Sequence, residues 1–359
     1  MEMYERLLLS TGGGISASLV KSAQQGDPTI IIALGGTGIE ALKVVKKKVY
    51  EQLKPDDPEA TIPEYKNIRF LAVDTDKIEK GGKEFYHLND EECLNISVPN
   101  LKIKMKADIE KKQAEFAWLQ PEMNLLGEKG AGTVRQVGRY CLFKNMDKIR
   151  AKILELKRIV TTDSKVSKVN VHILAGISGG TGSGTFIDMC YIVRDLIGES
   201  ATLFGYFFMP DVNLNKKEIV GDPLLSNRIK NNGYAALKEL DYTMNLGCEG
   251  KTFAQYYGGE QTYLLKETAE PLVDLCHLIS ATDKTGNPIT NGYAYSMNVV
   301  GEYILSYLAE VESGEGDKAD QIQTLEGHLS NVNRLVGEIK KKHGENLNYH
   351  ILGASTTEL

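Results

Sequence analysis

Val169-Asn170-Val171-His172-Ile173-Leu174-Ala175 leads, two residues on, into Ser178-Gly179-Gly180-Thr181-Gly182-Ser183-Gly184-Thr185, and Phe186 to Ile197 follows. The first stretch reads as the clearest buried strand of the chain and the last as a helix. Between them, four glycines let backbone N–H groups turn towards one anion, and the helix N-terminus adds its dipole. Phosphate suits such a turn. Thr181, Ser183 and Thr185 add hydroxyl donors, and a bound triphosphate would carry a cation such as Mg²⁺. Taken alone, the cluster reads equally well as a tight strand-to-helix turn without a ligand.

Outward from this run, the chain alternates strands with helices. Thr29 to Leu34 is a strand that enters Gly35-Gly36-Thr37-Gly38, after which Ile39, Leu42, Val45 and Val49 recur at helical spacing to about Leu53. A polar loop, Lys54 to Lys66, precedes a second strand, Ile68 to Val73, which ends in Asp74-Thr75-Asp76. Asn100 to Leu119 reads as one helix stopped by Pro121, and Gly127 to Gly132 as a flexible turn. A helical segment then runs through Arg150, with a further helix to about Val160. The strand Ala201 to Met209, the helix Leu225 to Asn245 and the strand Leu272 to Ile279 continue the pattern. Such alternation predicts an α/β fold with a mostly parallel sheet covered on both faces, its ligands bound at the carboxyl ends of the strands. Gly233, inside a helix, is expected to mark close packing on the sheet.

The run from Ser178 resembles the tubulin/FtsZ signature Gly-Gly-Gly-Thr-Gly-Ser/Thr-Gly and departs from it at Ser178, where the family has its first glycine. In chain order, Gly35-Gly36-Thr37-Gly38 resembles the family's first phosphate loop. Phe70 to Asp76 resembles the second-strand segment, with Asp74 in place of Asn, and Gly130-Ala131-Gly132 with Gly138-Arg139 is similar to the γ-phosphate loop. The four matches cover roughly half the chain. The charge of Asp74 is expected to be offset by a metal or by nearby donors.

The resemblance implies a divergent prokaryotic tubulin-like GTPase domain with a long central helix and the start of a second α+β domain. It implies GTP/GDP and Mg²⁺ as ligands, head-to-tail self-assembly into cytoskeletal filaments, and GTP hydrolysis at the subunit interface. The implied cofactor-binding residues are Gly35, Gly36, Thr37, Gly38, Asp74, Thr75, Gly130, Ala131, Gly132, Ser178, Gly179, Gly180, Thr181, Gly182, Ser183 and Gly184. For the base, Tyr293 or Tyr295 would stack and Asn298 would hydrogen-bond, with Asn287 in the preceding turn; all of them read equally as helix-face or turn residues. Glu315-Gly316-Asp317-Lys318-Ala319-Asp320 resembles the family's catalytic loop Asn-x-Asp-Phe-Ala-Asp, with Glu for Asn and Lys for Phe, so Asp317 and Asp320 would act on the next subunit's nucleotide. As residues of a polar loop they read equally as solvated carboxylates.

The resulting division is an N-terminal extension (1–28), a nucleotide-binding domain (29–289), a central helix (290–311) and the beginning of an incomplete second domain from 312, with a strand at Tyr349 to Ala354. A truncated second domain leaves room for a non-polymerising nucleotide switch or scaffold. A second alternative is an NAD-binding enzyme, because Gly36-Thr37-Gly38-Ile39-Glu40-Ala41 satisfies the dinucleotide pattern; the next strand-end acid, Asp74, comes much later than that pattern expects. Gly250-Lys251-Thr252 fails as a P-loop ending, since Asn245 stands where the first glycine is required.

Bulk properties exclude several classes. Forty-two Lys and Arg against 48 Asp and Glu give a net charge of −6, a poor match to nucleic acid or to anionic membrane. The five cysteines are scattered, without zinc or disulfide spacing, which fits a reducing cytoplasm. The histidines show no helical metal pair. No apolar run approaches the roughly 20 residues of a membrane span, and Met1 to Leu9 is too short for a signal segment, so a soluble, cytoplasmic protein is expected.

Overall fold

The computed structural model describes residues 21–22, 27–56, 63–84, 86–111, 116–120, 130–162, 164, 168–216, 219–247, 250–257, 263–283 and 285–308. The proposed catalytic loop with Asp317 and Asp320, the expected strand at Tyr349 to Ala354 and most of 1–28 lie outside the described residues.

In chain order the elements are β1 (Thr29–Leu34), α1 (Gly35–Gln52), β2 (Ile68–Asp74), β3 (Cys93–Asn95), α2 (Leu101–Glu110), α3 (Arg135–Lys144), α4 (Met146–Thr161), β4 (Val169–Gly176), α5 (Thr181–Ile197), β5 (Ala201–Phe208), α6 (Pro210–Leu214), α7 (Pro223–Met244), β6 (Phe253–Tyr257), β7 (Tyr263–Thr268), β8 (Leu275–Ile279) and α8 (Gly292–Leu308). Six strands form one parallel sheet in the order β8-β5-β4-β1-β2-β3. The order counts away from β1 on one side and resumes with β4 on the other, so the winding reverses between β1 and β4. The crevice beyond the carboxyl ends of these two strands is where such a sheet binds its ligand.

Burial explains the parallel arrangement. Every residue of β1 and of β4 is buried, as expected of strands covered on both faces. Alternate residues of β1 divide between two cores. Ile30, Ile32 and Leu34 join residues of α3, α4 and α5 on one face, whereas Ile31 and Ala33 join residues of α1 and α8 on the other.

Four readings of the sequence need correction or completion. The helix expected over Asn100 to Leu119 ends at Glu110. It buries only Met105 and Asp108, whereas Phe116 and Leu119 lie in the core. The segment through Arg150 is two helices broken at Asn145, whose side-chain amide donates to the carbonyls of Ile96 and Cys141, both at 2.9 Å. Gly233 packs against Pro210 of α6 rather than on the sheet: a Cβ there would lie 2.1 Å from the proline Cγ. An antiparallel hairpin, β6 with β7, stands apart from the main sheet and had no sequence expectation.

Candidate functional site

At the winding reversal, α1 begins directly at Gly35 and α5 at Thr181. Their N-caps, Leu34 and Gly180, make no side-chain capping bond. The first backbone N–H groups of an α-helix have no intrahelical acceptor, so two sets of unsatisfied donors flank one crevice. This crevice has a volume of about 210 Å³ and is lined by residues 34–37, 74–76, 130–133, 176 and 179–182. It thus gathers four glycine-rich or acidic turns that are far apart in sequence. Among the described residues that line it none is Lys or Arg, so an anion here would rest chiefly on backbone N–H groups and helix dipoles, with Lys216 3.4 Å from Thr37 Oγ1 and Arg228 3.3 Å from Thr133 Oγ1 beside it.

The glycines fall into two kinds. A Cβ on Gly38 would lie 2.3 Å from the Leu174 carbonyl oxygen, and one on Gly182 would lie 2.7 Å from the carbonyl oxygens of Leu34 and Gly176. These two let α1 and α5 press onto the sheet. A Cβ on Gly36 or Gly179 would meet nothing within 4 Å, so these two present bare backbone to open space. Gly35, Gly130 and Gly132 have φ of +70°, +64° and +50°, a region that glycine enters without strain.

Asp74 closes one wall. Its Oδ1 accepts from the Thr181 hydroxyl at 2.8 Å, from the Thr75 N–H at 2.7 Å and from the Asp76 N–H at 3.4 Å. Thr75 and Thr181 hydroxyls are 2.7 Å apart, and Thr75 Oγ1 also accepts the Ala131 N–H at 2.9 Å. The end of β2, the start of α5 and the 130–133 loop are thereby joined. Burial pushes the Asp74 carboxyl above its ordinary range, opposed by the hydrogen bonds from Thr181, Thr75 and Asp76. The donors expected to offset its charge are present, and a cation would complete the compensation.

The remaining sequence candidates lie as follows. Ser178 is fully buried and takes an ordinary backbone conformation, outside the positive-φ residues, so its serine fits where the family has glycine. Ser183 donates to the Ile177 carbonyl at 2.6 Å and accepts from Arg135 Nε at 2.7 Å; with Gly184 it lines a different cavity, behind α5. Thr185 donates to the Thr181 carbonyl inside the helix. Arg139 pairs with Asp188 at 2.8 Å, away from the crevice. Tyr293 opens α8, half-buried, with Lys216 Nζ 4.5 Å from its ring centre. Asn298 is exposed and donates to the Ala294 carbonyl at 3.1 Å. Tyr295 is half-buried on the same helix, and Asn287 donates to Thr285 in the preceding turn. His172 is fully buried in β4 and bonds Tyr206 at 3.0 Å, a structural arrangement.

The cavity behind α5, about 500 Å³, is larger than the phosphate-type crevice. Size does not decide between them. Its arginines are already matched, Arg135 with Glu239 and Arg139 with Asp188, whereas the crevice at the winding reversal offers unsatisfied donors. Among the described residues no cluster of His, Cys, Asp or Glu is suited to hold a metal by itself. Asp74 and Asp76, both lining the crevice, fit the one or two carboxylates by which Mg²⁺ is held when a ligand's phosphates complete its shell.

Sequence reasoning missed Asn213 and Asn232. Asn213 Oδ1 accepts from the Thr37 hydroxyl at 2.8 Å and its Nδ2 donates to Ser178 Oγ at 2.6 Å. Asn232 Nδ2 faces the carbonyls of Thr133, Ser178 and Gly179 at 2.8, 3.0 and 3.4 Å. Neither lies in a glycine motif, and their contacts with Ser178 cross 35 and 54 residues of sequence.

No curated protein matches the chain. Among solved structures, CetZ from Methanosaeta thermophila strain DSM 6194 is 13% identical at a TM-score of 0.44, over 82% of this chain and 57% of that one. CetZ2 from Haloferax volcanii, described as a GTPγS-bound protofilament, is 14% identical at a TM-score of 0.39, over 83% and 62%. CetZ1 from the same organism, described as a GDP-bound monomer, is 15% identical at a TM-score of 0.41, over 83% and 64%. The matches thus reach less than two thirds of the length of each of these structures. A family model described as "Tubulin like" matches residues 30–359, nearly the whole sequence, and the α/β sheet with its glycine turns at the winding reversal agrees with it. The chain belongs to the tubulin-like family.

Proposed function

We propose that the protein binds GTP in the crevice at the winding reversal, assembles head-to-tail into filaments in the cytoplasm, and hydrolyses GTP where subunits meet. The observation that carries the nucleotide reading is the meeting of two uncapped helix N-termini with the 130–133 loop and the Asp74–Thr75–Thr181 network in one crevice. Gly36 and Gly179 leave room for phosphate oxygens to approach the main chain. On α8, Tyr293 or Tyr295 is the proposed ring that stacks on the base, and Asn298 the proposed hydrogen-bonding residue. Mg²⁺, held by Asp74 and Asp76, would neutralise charge on the terminal phosphates. Asp317 and Asp320 of a neighbouring subunit would orient and deprotonate the attacking water. Against the NAD reading, the strand-end acid Asp74, which that reading reserves for a ribose hydroxyl, is engaged by the second glycine turn at Thr181.

The direct test is the identity of the nucleotide that co-purifies, followed by sedimentation and phosphate release with GTP and GDP across protein concentrations. A guanine nucleotide and a specific activity that rises with concentration are expected. Constant specific activity without sedimentation would leave a nucleotide switch in place of a filament. Gly179→Val is expected to abolish GTP binding while the protein stays folded, because its side chain points into open space rather than into the sheet. Gly182→Val is expected to unfold or strongly destabilise the protein, since it drives a side chain into two carbonyl oxygens. Retained GTP affinity in Gly179→Val would remove the crevice from nucleotide binding.

A further inference from the structure

We propose that Asn213 and Asn232 are positioning residues for the phosphate crevice: their carboxamides tie its loops together from behind and hold the loop carbonyls away from the ligand. The inference rests on the phosphate-binding reading of the crevice.

The Asn232 amide carries two hydrogens and reaches three carbonyl oxygens, those of Thr133, Ser178 and Gly179. Across a trans peptide the C=O and the following N–H point in opposite directions. Fixing the Ser178 and Gly179 carbonyls on the α7 side therefore turns the Gly179 and Gly180 N–H groups to the opposite side. Both glycines line the crevice, and neither N–H has an acceptor among the described residues. The same amide secures Thr133, a β-branched residue at φ +62°, where a β-branched side chain is strained. Arg228 adds a bond to Thr133 Oγ1 at 3.3 Å. Asn232 thus holds the 130–133 loop against the Ser178 turn.

Asn213 works on the other side. It bridges Thr37, in the first turn of α1, to Ser178, ahead of α5, with one end accepting and the other donating. Thr37, Asn213 and Ser178 are all buried, so each hydrogen bond would leave unsatisfied groups if broken. Ser178 is the one position where the signature lacks its usual glycine, and its hydroxyl is what Asn213 grips. The departure thereby gives this chain a short hydrogen-bonded tie between its two phosphate turns.

The test uses the full chain and measures GTPγS and GDP affinities, with the Tm of the unliganded protein as control. Asn232→Leu is expected to weaken GTPγS by about tenfold and GDP less, because the longer phosphate chain depends more on the 130–133 loop. Asn232→Asp, which sets a carboxylate against three carbonyl oxygens, is expected to weaken GTPγS further. Ser178→Gly, which the backbone accepts, and Asn213→Leu are expected to weaken both nucleotides by similar factors. Wild-type protein that fails to bind GTPγS would overturn the phosphate reading and this inference with it. Wild-type binding with unchanged affinities and an unchanged GTPγS to GDP ratio in every variant would overturn the positioning role alone. Should Asn232→Leu fail to fold, the affinities of Ser178→Gly and Asn213→Leu for the same two nucleotides decide the positioning role.

Discussion

Removal from water raises the pKa of the Asp74 carboxyl, and the donors Thr181, Thr75 and Asp76 only partly counter this. A carboxyl whose folded pKa exceeds its unfolded value keeps its proton longer in the folded chain. Stability is then full at low pH and falls as pH rises from the ordinary carboxylate range through the raised value. Ionisation of Asp74 is therefore disfavoured at the crevice wall of the ligand-free protein, and a cation on the nucleotide would favour it. Asp74→Asn keeps the Oδ1 acceptor for all three donors and removes the charge. The variant is expected to melt at a higher temperature than wild type at pH 7.5 without ligand, with the gap closing near pH 4, and to lose the Mg²⁺ dependence of GTPγS binding. Thermal melts at the two pH values check this; a lower Tm at pH 7.5 would show that the wall prefers the charge.

Beneath α8 the sheet carries a layer of stacked rings contributed by β4, β5 and β8. His172 stacks on Phe204 at 4.6 Å and Tyr206 stacks on His277 at 4.8 Å, while Tyr303 and Tyr307 of α8 meet them edge-on. Burial, with a smaller push from His277, lowers the His172 pKa to about 3. The unfolded chain then binds one more proton between its own value of about 6.5 and the folded value, so stability is full above that window and is lost as pH falls through it. One such group contributes a slope of at most about 1.4 kcal/mol per pH unit. His172→Phe preserves the stack and is expected to flatten the acid limb of urea-unfolding free energy between pH 6 and 4 by close to one proton; an unchanged slope would assign that limb to other groups. His172 was readable as a structural residue because it lies within a strand and no second histidine is spaced to share a metal with it. The sheet was legible because β1 and β4 are mostly apolar, buried along their whole length, and run into glycine turns. The break at Asn145 was not, because it is set by a hydrogen bond to Ile96, 49 residues away, and no proline or glycine marks it. Asn213 and Asn232 were hidden in the same way, their meaning residing in loops that only the folded chain brings near.

At the scale of the whole molecule, the proposed reaction divides one active site between two copies of the chain: the phosphate crevice of one and Asp317 with Asp320 of the next. A head-to-tail contact of this kind is heterologous and, when it does not close into a ring, propagates a filament in which every subunit gives and receives. Two inactive variants should then complement each other. Gly179→Val removes nucleotide binding but keeps the acids, and the double variant Asp317→Ala with Asp320→Ala binds nucleotide but lacks them. In a random equimolar filament about a quarter of the interfaces pair an intact crevice with intact acids. Phosphate release by the mixture is expected at roughly a quarter of the wild-type rate at equal total protein and saturating GTP, on the same statistics. Each variant alone should release almost none. Dilution below the concentration at which wild-type protein sediments should abolish the restored activity, because the intact site exists only across a contact. A mixture as inactive as its components, under conditions where both variants still co-sediment, would place the hydrolytic groups and the nucleotide within one subunit.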